Sequence, residues 1–216
     1  LRKSPDMAEN FPQDVLELIS YLDDPNPAAA VQAHPGQGTH VPVWMLGSSL
    51  FGAQLAAMLG LPYAFASHFA PTALEDALAF YRTRFQPAGR PDAEDGPRFM
   101  LAINVIAADT DAQARLLQSS QQLAFARLRS GRPGKLPAPT HDLSEITPPL
   151  ERAVGEALRI SAVGSPATVR TQLSDLIQRY QPDEVILTGQ IHDPEARRNS
   201  FRIAAEVMET LQKAPA

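Results

Sequence analysis

The sequence predicts an α/β fold in which helices flank a parallel sheet. Short apolar runs predict strands near residues 42–46, 63–67, 98–107 and 184–188. Stretches with apolar residues at helical spacing lie between these runs. Strands that alternate with helices pair in parallel, because each helix returns the chain to the same end of the sheet.

The helices follow from apolar spacing and from capping residues. Apolar residues at helical spacing from Val15 to Leu22 predict a helix before the first strand, after a polar, irregular stretch at residues 1–10. Asp109 and Ser165 are good N-caps for two later helices, and Asp193 followed by Pro194 begins the last one. The other helices are predicted over residues 50–59, 71–85 and 150–158.

The predicted strands and helices amount to about half of a (β/α)8 TIM-type barrel, which typically needs ~250 residues. A half barrel leaves two open strand edges. The alternatives are therefore the C-terminal part of a barrel whose N-terminal strands are absent from this chain, and a smaller open sheet. The first is favoured, because the chain opens with Leu1 rather than Met. Residues 1–216 are expected to form a single domain.

The stretch at residues 41–69 contains the chemically most informative bend. Gly47, Ser48 and Ser49 join the first predicted strand to the helix at residues 50–59. The first amides of a helix lack intrahelical partners and lie at the positive end of its dipole, so such a bend suits a phosphate. The alternative is that Ser49 only caps the helix and Gly47 only makes the turn.

Composition excludes several classes of function. The net charge of −5, without a basic cluster, argues against a nucleic-acid partner. The chain has no cysteine, hence no disulfide, thiolate metal site or thiol nucleophile. No signal peptide or membrane span is found, since Pro42, Ser48, Gln54 and Pro62 interrupt the most apolar region. The expected location is the cytoplasm, without a membrane partner.

Common motifs for metal and hydrolytic chemistry are missing from the sequence. The histidines have no ligand spacing, and the chain lacks HExxH and an Asp-rich loop. The run GSSLFG is neither a P-loop nor a GxSxG elbow. No metal site, nucleotide hydrolysis or esterase chemistry is therefore expected.

Three stretches resemble the bacterial luciferase-like flavin monooxygenases, specifically the single-component, alkanal-monooxygenase-like subgroup. WMLGSSLFGAQLAAMLGLPYAFASHF resembles the central segment of that family, and RFMLAINVIAADTDAQAR resembles its seventh strand and helix. AVGSPATVRTQLSDLIQRYQPDEVILTGQIHD resembles the helix and eighth strand that end its barrel. The resemblance spans most of residues 11–211 and implies roughly the C-terminal two-thirds of such a barrel.

The resemblance implies FMN as the cofactor, with its phosphate against the residues after the fifth barrel strand. That role falls on Gly47, Ser48 and Ser49, while Gly52 gives close backbone approach in the first helical turn. Family members usually add an arginine from an earlier strand, and no equivalent is visible in this sequence. The deazaflavin F420, which related enzymes use at a similar phosphate site, is the less favoured cofactor.

Residues at the ends of later strands are candidates for the predicted barrel mouth. His68 is the one catalytic candidate, through contact with the substrate or a reduced-flavin oxygen adduct. A structural hydrogen-bonding role is favoured for it, because a lone histidine at a strand end commonly has that role. Polar residues that could line the same cavity are Asn104, Thr188, Gly189 and Gln190.

The implied activity is a flavin-dependent monooxygenase-like oxidation of a small organic substrate by reduced FMN and O2. A flavin reductase is a candidate partner, and a homodimer is the expected assembly. The alternatives are a non-catalytic flavin-binding luciferase relative and an F420-dependent oxidoreductase. The proline-rich loop at residues 130–149 is either a lid that excludes water or a plain surface connector.

Overall fold

The computed structural model describes residues 7–89 and 95–213. All paired strands in this part are parallel, and helices connect them. The strands are β1 (Met45–Gly47), β2 (Tyr63–Phe65), β3 (Phe99–Ala107), β4 (Ser161–Gly164) and β5 (Glu184–Thr188). The helices are α1 (Met7–Leu22), α2 (Leu50–Leu59), α3 (Leu74–Arg84), α4 (Asp111–Arg129), α5 (Pro148–Ala157), α6 (Pro166–Tyr180) and α7 (Pro194–Lys213), with a 3-10 turn at Pro71–Ala73.

Strand β3 lies at the centre of the sheet. Its first residues pair with β2 on one edge and with β5 on the other, and β1 pairs with β2. Asn104 of β3 pairs with Thr188 of β5 on one side and with Ser161 of β4 on the other. Strand β4 therefore lies on the same edge of β3 as β2, but it pairs with later residues of β3. The path β1–β2–β3–β5 contains the four predicted strands. The short β4 was not predicted from the sequence.

Several predicted boundaries differ from the observed ones. Helix α1 begins at Met7, so the prediction of an irregular stretch was wrong for the end of residues 1–10, while residues 1–6 lie outside the described part. Strands β1 and β2 are three residues each, shorter than predicted. The N-cap of α4 is Thr110 rather than Asp109, because the Thr110 side chain accepts a hydrogen bond from the Gln113 amide at 3.2 Å.

One face of the sheet is covered by helices and forms the main core. Met45, Tyr63 and Phe99 on this face are buried with residues of α2, α3, α6 and α7. The Tyr63 ring packs against the rings of Phe65, Tyr81 and Phe99, with centroids 5.4 to 6.3 Å apart. Apolar burial on this face is the largest favourable contribution to folding.

The opposite face of the sheet is partly open. Strand register places Leu46, Ala64 and Met100 side by side on this face, with Ile186 and Asn104 further along it. Leu46 is 69% exposed and Ile186 is 48% exposed, whereas Asn104 is buried. In a closed barrel this face would line the interior, which side chains normally fill.

Candidate active site

The bend at Gly47, Ser48 and Ser49 lies at the carboxyl end of β1. The Ala66 amide donates to the Gly47 carbonyl at 2.9 Å, so the pairing of β1 with the β2 side continues to the start of the bend. Helix α2 begins at Leu50, immediately after the bend. Active sites of β/α barrels lie at this end of the strands. The predicted site residues therefore occupy the edge where ligands bind in this architecture.

Two glycines bring the strand and the helix together at this bend. A Cβ placed on Gly52 would lie 3.5 Å from the Gly47 Cα, and one placed on Gly47 would lie 3.6 Å from the Gly52 Cα. The Tyr63 ring closes the other side of this contact. Gly52 thus packs against Gly47, and its predicted close approach to the FMN phosphate stays a prediction.

Within the described part of the chain, the hydroxyl groups of Ser48 and Ser49 make no hydrogen bond to the protein. Ser49 occupies the N-cap position of α2, but its side chain makes no capping hydrogen bond. Its carbonyl instead accepts a hydrogen bond from the Tyr63 hydroxyl at 3.2 Å. Burial raises the pKa of Tyr63, which keeps that hydroxyl protonated. Helix α2 has no acidic residue in its first turn, so no carboxylate of the helix itself offsets the positive end of its dipole.

His68 follows β2 at the same end of the sheet. Its ring packs edge-on against Phe69, with centroids 4.9 Å apart. Within the described residues, the buried Nδ1 of His68 has no hydrogen-bond partner. Burial lowers the pKa of the imidazole below its ordinary value of 6.5, so the neutral ring predominates at pH 7.

A buried polar network lies beneath His68 on the open face of the sheet. The Asn104 side-chain amide donates to the His68 carbonyl at 2.6 Å. Its oxygen accepts from the Gln121 amide at 2.9 Å and from the Thr188 hydroxyl at 3.2 Å. One asparagine therefore joins the end of β2 to β3, α4 and β5. A buried amide with its hydrogen bonds made fixes these four elements in one arrangement.

A cavity of about 430 Å3 opens beside His68 and Phe69. Helix α4, the loop that follows it and Gln190 beyond β5 form its other walls. Its volume is within the range of small-molecule sites. A second cavity, of about 300 Å3, lies between α1 and the following loop and includes none of the predicted site residues.

The loop after α4 forms part of the cavity wall and is held to the helix by an ion pair and a hydrogen bond. Arg127 pairs with Glu145, with Nη2 and Oε1 2.6 Å apart, and the Thr140 amide donates to the Ser119 hydroxyl at 2.9 Å. Pro133 and Gly134 of the loop line the cavity. The loop therefore belongs to the cavity wall, and the two alternatives for it, a lid that excludes water and a plain surface connector, both stay predictions.

The described residues contain no candidate metal site and no candidate membrane-spanning helix. Among residues 7–89 and 95–213, no three side chains of the types His, Cys, Asp or Glu are placed to hold a metal ion. No helix in those ranges is both long and apolar enough to cross a membrane.

Comparison with known proteins decides the family. The profile of the family described as "Luciferase-like monooxygenase" matches residues 21–181. A protein of Escherichia coli K12 called "Luciferase-like monooxygenase" is 46% identical over 204 residues, which are 94% of this chain and 60% of that protein. The chain belongs to the luciferase-like monooxygenase family.

Further relatives agree with this assignment. The protein YvbT of Bacillus subtilis 168, whose function is uncharacterised, is 39% identical over 209 residues, which are 96% of this chain and 61% of YvbT. The crystal structure of apo-MsnO8 superposes with a TM-score of 0.80 at 31% identity, over 97% of this chain and 62% of MsnO8. The chain thus spans about 60% of the length of the curated relatives it matches.

The predicted fold is confirmed by these comparisons: this luciferase-like chain has the parallel α/β architecture of part of a TIM-type barrel. The roles predicted for Gly47, Ser48, Ser49, Gly52 and His68 stay predictions. Gln190 lines the cavity as predicted, whereas Thr188 hydrogen-bonds to Asn104 in the buried network and is not among the residues that line the cavity. A Cβ placed on Gly189 would lie 3.0 Å from the Val105 carbonyl oxygen and 3.2 Å from the Phe201 ring.

Two residues of the site, Gln121 and Arg129 on α4, were not predicted from the sequence. Gln121 is fully buried although it belongs to a helix rich in alanine and glutamine, where a glutamine is expected on the exposed face. Arg129 lies in the last turn of that helix, where the negative end of the helix dipole already accounts for a basic residue. Gln121 reaches Asn104 and Arg129 reaches the cavity only because α4 packs beside the carboxyl end of β3, and this packing is not visible in the sequence.

Proposed function

We propose that this protein is a flavin-dependent monooxygenase-like oxidoreductase that uses reduced FMN and O2 on a small organic substrate. Membership of the luciferase-like monooxygenase family supports the reaction class. The observation that carries the proposal for the cofactor is the bend after β1, where the hydroxyl of the N-cap residue Ser49 makes no capping bond. Donors left free at a helix start and at the ligand-binding end of a barrel strand suit a phosphate.

The residues of the bend fit the phosphate of FMN. Ser48 and Ser49 supply hydroxyl donors, and the first amides of α2 supply backbone donors at the positive end of the helix. Gly47 and Gly52 allow the end of β1 and the first turn of α2 to pack closely against each other beside the bend. When bound, FMN supplies the redox chemistry, while the protein supplies binding, orientation and exclusion of water.

The remaining residues of the site position the substrate and limit solvent access. Apolar side chains of Phe69, Phe125 and Leu128 form much of the cavity wall, which disfavours water. The neutral His68 can donate or accept one hydrogen bond without bringing a charge into the cavity. Asn104 holds the His68 backbone carbonyl and thus the direction in which the end of β2 leaves the sheet.

Substitution of Ser48 by alanine in the full-length protein tests the phosphate site. We expect FMN binding to weaken by about 1–3 kcal/mol, because a hydrogen bond to a charged group is lost. Titration of the apoprotein with FMN, followed by flavin fluorescence, measures the change. The matched control is Ser20→Ala on α1, whose hydroxyl donates to the Glu17 carbonyl and is not part of the bend. Unchanged FMN affinity in Ser48→Ala would remove Ser48 from the site.

The visible spectrum of the purified full-length protein, combined with O2 uptake, separates the proposed enzyme from the alternatives. Flavin bands together with NAD(P)H-linked O2 uptake, in the presence of a flavin reductase, support the monooxygenase. Flavin bands without O2 uptake support a non-catalytic flavin binder. The spectrum of a deazaflavin would replace FMN by F420.

A further inference from the structure

The walls of the cavity beside His68 divide into an apolar part and a basic rim. Phe69, Leu128 and Pro133 are apolar side chains that line the cavity and remain accessible. Leu128 is 57% exposed and Phe69 is 44% exposed, so the cavity presents apolar surface that a bound ligand would remove from water. Arg129 follows Leu128 at the end of α4 and lines the exposed side of the same cavity.

The charge of Arg129 is not neutralised by the fold. Its neighbour Arg127 makes a two-point ion pair with Glu145, but Arg129 makes no hydrogen bond or ion pair within residues 7–89 and 95–213. Lys135, beside the wall residue Gly134, is likewise exposed and unpaired in that part of the chain. A basic rim in a chain of net charge −5 favours an anionic ligand at this place.

The inner part of the cavity has no formal charge. His68 is neutral because burial lowers the pKa of its imidazole, and Gln190 contributes an uncharged amide. The cavity thus changes from neutral and apolar beside His68 to cationic at the solvent side. A ligand of the same asymmetry would satisfy both ends.

We propose that this cavity binds a small molecule with an apolar body and a carboxylate, the carboxylate pairing with the guanidinium of Arg129. The apolar body covers Phe69 and Leu128, and the uncharged end of the molecule faces His68. An arginine suits a carboxylate because its planar guanidinium can donate two parallel hydrogen bonds. The proposal rests on the proposed function, since it names the substrate class of the same site.

Binding of two probes of equal chain length tests this proposal. Isothermal titration of the full-length protein with decanoate and with 1-decanol at pH 7 compares a carboxylate with a hydroxyl on the same apolar body. We expect decanoate to bind about fivefold more tightly, which corresponds to about 1 kcal/mol for an ion pair at an exposed arginine. Equal affinities, or a preference for 1-decanol, would overturn the proposal.

Three variants assign the preference to the cavity. Arg129→Gln should abolish the advantage of decanoate and leave 1-decanol binding unchanged. Leu128→Ala should weaken both probes by the same factor, and Arg170→Gln on α6 should change neither. A preference for decanoate that survives in Arg129→Gln would contradict the proposal, because a group other than Arg129 would then pair with the carboxylate.

The outcome is independent of the test of the flavin site. Decanoate binding requires no flavin, and the Ser48→Ala titration requires no substrate. Failure of the wild-type protein to bind FMN, with the decanoate preference intact, would contradict the proposed function only. FMN binding without a preference for decanoate would contradict the substrate class only.

Discussion

Single polar side chains distinguish the candidate site from the rest of the scaffold. Ser165 and Asp193 both cap helices, since each side chain accepts a hydrogen bond from an amide in the first turn of its helix. Ser49 has the corresponding position at α2 but makes no such bond. A helix start without its side-chain cap loses about 0.5–2 kcal/mol of stabilisation. That cost has a reason if the hydroxyl serves a ligand.

Asn104 provides a test of the buried network at the same scale. Asn104→Ala leaves the Gln121 amide, the Thr188 hydroxyl and the His68 carbonyl without their partner. We expect the free energy of unfolding in urea to fall by about 1–3 kcal/mol, because buried polar groups lose their hydrogen bonds.

Asn199→Ala is the matched control for this prediction. Asn199 lies on α7, and its side chain accepts a hydrogen bond from Arg202 at 2.7 Å on the exposed side of that helix. This substitution should change the free energy of unfolding by no more than about 0.5 kcal/mol. Equal losses in the two variants would show that the network beneath His68 contributes no more than a surface contact.

Site residues could be predicted from the sequence only where they lie directly between a predicted strand and a predicted helix. Gly47, Ser48 and Ser49 sit between a strand and a helix in the sequence itself, so their place at the carboxyl end of a parallel strand followed directly. Gln121 lies 17 residues from Asn104 along the chain, and the two meet only because α4 folds back over β3. No local pattern encodes such a contact.

At the scale of the elements, Gly60 shows how strictly one helix end is specified. It ends α2 in the left-handed conformation, with φ of 62°. A Cβ at this position would lie 2.6 Å from both the Ala88 nitrogen and the Gln86 oxygen, which are backbone atoms. We expect Gly60→Ala to lower the free energy of unfolding by about 1–3 kcal/mol, as measured in urea.

Gly155 is the matched control for this substitution. It lies inside α5, and a Cβ placed there would meet no atom within 4 Å. Gly155→Ala should therefore stabilise the protein by about 0.5–1 kcal/mol, because alanine is the better helix former. A loss of stability in both variants would mean that the loss reflects replacement of glycine in general rather than the contact at Gly60.

Glu75 connects three helical segments and makes stability depend on pH. It accepts hydrogen bonds from Arg159 and from the Tyr180 hydroxyl, and these bonds join α3 to the ends of α5 and α6. The hydrogen bond from Arg159 is the main cause that lowers the pKa of Glu75 from 4.5 to about 2. A lowered pKa in the folded state stabilises the protein above about pH 4.5, and this contribution is lost as the pH falls to about 2.

Glu75→Gln tests this contribution. We expect a loss of about 1 kcal/mol at pH 7, a small value because the Glu75 side chain is 44% exposed and solvent screens the charge. The difference from the wild type should vanish near pH 2, as followed by urea unfolding at several pH values. Glu195→Gln, which removes an exposed pair with Arg198 on α7, should have almost no effect at any pH. A difference that does not change with pH would contradict the assigned cause.

The missed strand β4 shows where sequence patterns fail for short elements. Ser161–Gly164 contains a single residue of strong strand preference, Val163, and it stands directly before a strong helix start at Ser165. Its pairing partner is the carboxyl half of β3, 57 residues away in the sequence at the pair Asn104 and Ser161. A long apolar strand such as β3 can be recognised from its own residues. A strand of four residues such as β4 forms mainly because it can pair with the edge of a neighbouring strand.

At the scale of the whole molecule, the alternation of strands and helices was sufficient to predict the parallel sheet. The order β1–β2–β3–β5 follows the chain, as short right-handed crossovers require. Within the described part of the chain, β1 pairs only with β2 and β5 pairs only with β3. The sheet is therefore open, because the outer edges of β1 and β5 have no partner there. The exposed Leu46 and Ile186 lie on the face that a closed barrel would cover.

These open edges predict how residues 1–216 behave as a separate polypeptide. Unpaired strand edges beside exposed apolar side chains favour association between copies. We expect this polypeptide to self-associate with increasing concentration in light-scattering measurements, and Leu46→Lys combined with Ile186→Lys to reduce the association. Leu18→Lys on α1 is the control, because Leu18 is 48% exposed, as Ile186 is, but lies outside the sheet. A monodisperse monomer, or an equal effect of Leu18→Lys, would show that the open face of the sheet does not drive association.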